Sequence, residues 1–108
     1  MTDAGIGTFC TLAEWTVRPG NEDAFVSAWA EFARWTAENQ QGAMTGMLLR
    51  DTSEPLRFIS FGPWKDRDAA EAWRQTHQFQ ESFVRFRELC SEVRPQSLIS
   101  VATSESRE

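Results

Sequence analysis

Three segments of this 108-residue chain read as β-strands, and each is apolar on both faces. Successive side chains along a strand point to opposite sides. In segment 56–61 (LRFISF), Leu56 and Phe58 therefore point one way and Ile59 and Phe61 the other. In segment 43–50 (AMTGMLLR), Met44 and Leu48 oppose Met47 and Leu49. In segment 8–17 (TFCTLAEWTV), Phe9, Ala13, Trp15 and Val17 oppose Cys10 and Leu12. A sheet with one wet face alternates cleanly between apolar and polar residues. This one must bury both faces, because monomers rarely tolerate a large exposed apolar patch. Helices of the same chain cover one face. The economical cover for the other is a second copy, so the pattern predicts a homodimer with sheets packed face to face.

The segments between the strands supply the helices. Arg18-Pro19-Gly20 ends the first strand, and Asn21 stands where a helix N-cap belongs, with Glu22 and Asp23 favoured in the first turn. Phe25, Ala28, Trp29, Phe32 and Thr36 then recur at spacings of three and four, which predicts a helix over 22–38. Asp66 caps a short helix ending at Arg74, and Thr76 caps a second segment over 77–90, where Phe79, Phe83, Phe86 and Cys90 form the stripe. Segment 95–102 (PQSLISVA) reads as the last strand. The order is β-α-β-β-α-β, an α+β ferredoxin-like arrangement with a four-stranded antiparallel sheet and the helices on one face. One domain over 1–108 accounts for the chain, with 1–7 and 103–108 expected to be loose.

Charge and composition narrow the function. A net charge of −5 argues against a nucleic-acid phosphate binder. The apolar run Met47-Leu48-Leu49 is far short of the roughly 18 residues that a membrane span needs. Cys10 and Cys90 are distant and form no CxxC, so they read as reduced thiols in a cytoplasmic protein; no basic-then-apolar leader opens the sequence. No GxGxxG, GxxxxGK[ST], HExxH or GxSxG is present, and a single His leaves metal ligands sparse, so neither a metal nor another cofactor is expected. What stands out is five Trp and eight Phe with no Tyr.

The junction Trp15-Thr16-Val17-Arg18-Pro19-Gly20-Asn21-Glu22, the stretch Phe61-Gly62-Pro63-Trp64-Lys65-Asp66 and the segment Trp73-Arg74-Gln75-Thr76-His77-Gln78-Phe79 resemble the antibiotic-biosynthesis monooxygenase domain. The resemblance runs over 8–102. It implies a dimeric α/β barrel with a cavity in each subunit between sheet and helices. Some members oxygenate polycyclic phenols without metal or flavin: the substrate is deprotonated and itself passes an electron to dioxygen. A haem-degrading branch shares the Trp64 position but uses a His where this chain has Phe83 and an Asn where it has Ala13. Phe83 cannot ligate iron, which sets that branch aside.

Candidate site residues follow from the resemblance and the aromatic pattern together. Trp64, by its family position, is a catalytic candidate or the wall of an aromatic pocket, against the alternative that it plugs the core. His77, the one side chain that titrates near neutrality unaided, is the candidate general base, against an exposed place in a helix's first turn. Trp15, Ala13, Trp29, Phe32, Phe58, Trp73, Phe79 and Phe83 are candidate substrate-binding residues. Apolar walls with few polar groups make ligand pockets, although aromatics at helical spacing also make solid cores. The expectation is a cofactor-free monooxygenase acting on a planar aromatic or quinone-like molecule. The alternatives are a non-catalytic binding module and a plain dimerisation domain.

Overall fold

The computed structural model describes residues 5–104. Seven elements follow one another: β1 (Phe9–Val17), α1 (Glu22–Asn39), β2 (Met47–Arg50), β3 (Arg57–Trp64), α2 (Arg67–Arg74), α3 (His77–Leu89) and β4 (Cys90–Ile99). The four strands form one antiparallel sheet in the order β2-β3-β1-β4. This is the expected α+β ferredoxin-like fold.

Register assigns every strand residue to a face. Phe9, Thr11, Ala13 and Trp15 of β1 lie opposite Trp64, Gly62, Ser60 and Phe58 of β3, and this side packs under the helices. Phe9, Ala13, Trp15, Val17, Phe58 and Trp64 are all buried there. The other side carries Cys10, Leu12, Ile59 and Phe61, flanked by Met47, Leu49 and Leu98, which are 50%, 48% and 42% exposed. The two-faced pattern of the sequence thus becomes a covered face and an apolar open one.

The caps are local chemistry. Asp66 accepts a hydrogen bond from Ala69 N (2.9 Å) and Thr76 from Phe79 N (3.1 Å), satisfying otherwise orphaned donors at the starts of α2 and α3. Asn21 does not cap α1 with its side chain. Its amide reaches Leu89 O (3.4 Å) instead, tying the helix start to the end of α3.

Strand boundaries depart from the sequence expectation in three places. β3 continues through Gly62-Pro63 to Trp64, past the expected end at Phe61. Pro63 is tolerated because its carbonyl accepts from Met44 N (3.0 Å), away from β1. N and C=O of one strand residue point to the same side, so the missing donor costs the β1 ladder nothing. β2 begins at Met47, and before it only Ala43 bridges to Trp64. β4 begins at Cys90, because its polar first half is an edge strand whose pairing to β1 needs no apolar pattern. Of the ends expected to be loose, 1–4 and 105–108 lie outside the described residues. Within them, Gly7 N donates to Ser100 O (2.8 Å) and Ser100 N to Thr8 O (3.0 Å), fastening the chain start to the strand end.

Candidate functional site

The covered face of the sheet changes size along its length. At one end Trp15 and Phe58 stand opposite each other and fill the space to the helices. Trp15 packs on Phe25 and Phe86 at ring-centroid distances of 5.1 Å, and Phe25 on Phe58 at 5.3 Å. One register step further, the facing pairs are Ala13–Ser60 and Thr11–Gly62. Above them α1 presents Ala33, Thr36 and Ala37, one turn beyond Phe32. Small side chains facing small side chains leave a cavity of about 400 Å3 between sheet and helices. That lies within the roughly 300–1,000 Å3 of small-molecule sites.

Rings wall this space. Trp64 and Trp73 lie 4.9 Å apart, Phe79 stacks on Phe83 at 4.3 Å, and Phe32 stacks on Trp73 at 5.6 Å. Each of three cavity indoles is fixed by a hydroxyl. Trp15 Nε1 donates to Ser60 Oγ (3.0 Å), Trp73 Nε1 to Thr36 Oγ1 (3.0 Å) and Trp64 Nε1 to Thr11 Oγ1 (3.3 Å). With their polar edges engaged, these rings are oriented walls that offer a ligand only their faces. A hydroxyl donates one hydrogen and accepts at two lone pairs. Ser60 and Thr36 use lone pairs for the indoles, so their O–H groups are free to donate to a ligand oxygen.

Eight of the ten residues singled out by sequence come together here: Ala13, Trp15, Trp29, Phe32, Trp64, Trp73, Phe79 and Phe83 all line the cavity. Two do not. Phe58 belongs to the solid end of the core, packed on Phe25 and capped by the Arg50 guanidinium at 5.2 Å from its ring centroid. His77 stands on the surface with its side chain 85% exposed, 3.4 Å from Glu81 across one helical turn. Its place directly after the Thr76 cap points it to solvent, so the general-base role expected of it has no geometric basis. Glu14 sits on the open face beside Arg57 (3.4 Å) and Gln96 (3.1 Å). Arg74 does line the cavity. Its Nη1 lies 3.1 Å from Glu71 Oε2 and its Nη2 donates to Ser97 Oγ (3.0 Å), linking α2 to β4. Ser60 and Thr11 went unmarked in the sequence, and the signal that finds them is the β1–β3 register, which sets small residues opposite small ones; Thr36 stood there only as a member of the apolar stripe of the first helix.

Neither thiol belongs to the site. Cys90 is buried at the α3–β4 junction, and desolvation pushes its thiol up to about 11 despite the nearby Arg18 charge. Cys10, on the open face, is also raised by burial. Among the described residues no three His, Cys, Asp or Glu side chains gather to hold a metal ion. No helix among them is long and apolar enough to cross a membrane.

The sequence over residues 8–97 matches the family model of antibiotic biosynthesis monooxygenases. The chain belongs to this family. No curated protein matches it closely in sequence. Solved structures of similar fold include SnoaB, a cofactor-independent oxygenase from Streptomyces nogalater, at 21% identity and a TM-score of 0.84 over 93% of this chain and 99% of that one. A conserved protein of Methanosarcina mazei is similar at 16% identity and a TM-score of 0.80, over 88% of this chain and 94% of that one. PA3566 of Pseudomonas aeruginosa reaches 23% identity and a TM-score of 0.75, over 89% and 96%. At such identities the likeness is one of fold. The monooxygenase family therefore fixes the architecture here, while the chemistry must be argued from the cavity.

Proposed function

We propose that the chain is a cofactor-independent monooxygenase acting on a planar aromatic or quinone-like small molecule held in the cavity between sheet and helices. One observation carries this reading: the walls are flat aromatic faces with oriented hydroxyls, and among the described residues no Asp, Glu, His, Lys or Cys lines them. Such a site can bind, orient and shield a ring, but it offers no side-chain base. The chemistry suited to it is one in which the substrate supplies the reducing electrons. A phenol oxidised to a quinone is the simplest case. One atom of dioxygen replaces a ring hydrogen as the new carbonyl oxygen, the other leaves as water, and all four electrons come from the substrate. Ser60 and Thr36 hydroxyls would hold the substrate oxygens, Trp64 and Trp73 would pack against the ring, and the aromatic walls would limit the water that reaches the reactive intermediate. The cofactor-independent oxygenase from Streptomyces nogalater of the same fold supports the reading.

The proposal includes a homodimer joined through the open sheet face, where Leu12, Ile59 and Phe61 are flanked by half-exposed Met47, Leu49 and Leu98. Oxygen uptake with a panel of hydroquinones and polycyclic phenols tests the enzymatic reading. Uptake in step with substrate loss supports it. Tight binding of the same molecules without uptake rejects it in favour of a carrier that sequesters them.

A further inference from the structure

The chain has 16 acidic and 11 basic residues, yet among the described residues the only charged side chains lining the cavity are two arginines, Arg34 and Arg74. In an acidic protein, the charges that reach this cavity are thus cationic. The two arginines are not equivalent. Arg34 is exposed and shared with the outer groove between α1 and α3. Arg74 is only 26% exposed, and its guanidinium is stretched from Glu71 on its own helix to Ser97 on β4 across the edge of the cavity. The last turn of α2 favours a cation by the helix dipole, which explains an Arg at this position but not its reach to β4. A guanidinium carries five N–H donors in a rigid fork. Glu71 and Ser97 use two of them, so three remain.

We propose that Arg74 is the anion-recognition residue of the cavity, and that the preferred ligand is a planar aromatic anion whose carboxylate or phenolate oxygen meets this guanidinium while its rings lie among Trp64, Trp73 and Phe79. The proposal rests on the reading of the cavity as an aromatic site. It also supplies what the missing base leaves open: a site that favours the ionised form of its ligand needs no side chain to remove the proton. Partial exposure and the Glu71 carboxylate weaken the attraction, and the arginine still offers charge-assisted hydrogen bonds at a half-buried rim.

Calorimetric titration of a matched pair of probes tests it: 2-naphthoate, which is ionised throughout pH 6–8, and 2-naphthamide, its neutral isostere. The native protein is expected to bind naphthoate roughly tenfold to a hundredfold more tightly, the size of one or two charge-assisted hydrogen bonds. Arg74→Gln should remove most of that preference by weakening naphthoate far more than naphthamide, so retained binding of the neutral probe also reports that the variant's cavity is intact. Arg74→Lys should recover part of it. Arg34→Gln should change the ratio by less than about threefold, as expected of an exposed charge screened by solvent. Equal binding of the two probes by the native protein, or a preference that survives Arg74→Gln, overturns the proposal and leaves the aromatic site standing. Failure of both probes to bind overturns the aromatic reading with it.

Discussion

Replacing Ala13 by Leu separates a cavity from a solid core by the sign of its effect on stability. Ala13 is buried on the covered face, opposite Ser60, with the open space above it. Leucine adds three carbons, worth about 2.4 kcal/mol if each is fully buried at about 0.8 kcal/mol. A side chain entering a space in contact with water keeps about half of this, roughly 1 kcal/mol. For a domain of this size that is a rise in Tm of about 4–8 °C. Were the helices packed directly on Ala13, the same change would overfill the core and cost about 1–3 kcal/mol. Thermal and urea unfolding, followed at one fixed protein concentration so that association does not shift the midpoint, distinguish the two outcomes. The same variant should lose aromatic-ligand binding by at least about tenfold, because the new isobutyl group occupies the ligand's volume. A fall in Tm of several degrees would refute the cavity at this position, and unchanged ligand affinity would refute its use.

The remaining predictions are independent of that one. His77→Ala should leave ligand binding and turnover unchanged and alter stability by less than about 0.5 kcal/mol, since the exposed Glu81 pair is worth little; a large loss of turnover would restore His77 as a base. Ile59→Asp places a charge at the centre of the apolar open face and should convert a dimer into a 12.3 kDa species in sedimentation, whereas an unchanged mass would exclude this face as the interface. The raised Cys90 thiol predicts an alkaline limit. The folded state holds the proton more tightly than the unfolded state, so stability is intact below about pH 9 and falls as pH rises toward about 11. Cys90→Ala should flatten denaturation midpoints measured across that window, and an identical slope would remove Cys90 as its cause.

Much of this architecture is legible in the residues, and the failures share a cause. Helical spacing and the Asp66 and Thr76 caps identify α2 and α3, and strand alternation places Trp15 and Phe61 on opposite faces, because these signals are local. The first half of β4 is polar and reads as loop, since an edge strand is held by backbone pairing that leaves no mark on composition. Phe58 and Ala13 share a face and look equivalent in sequence; only register shows that Phe58 meets Trp15 in the filled end while Ala13 meets Ser60 in the empty one. Whether aromatics make a core or a pocket depends on which small residues lie opposite one another across strands. His77 suffers from a related ambiguity: its chemistry suits a base, but its direction is set by the cap before it.

The arrangement of indoles has an optical consequence. Trp15, Trp29, Trp64 and Trp73 line the cavity, while Trp35 faces the outer groove and stacks on Phe32. With no tyrosine in the chain, ultraviolet emission comes from tryptophan alone. A quinone entering the cavity would stand close to several emitters at once and quench them by accepting their excited electrons. The protein carries its own occupancy gauge, so candidate ligands can be screened without label or knowledge of the reaction.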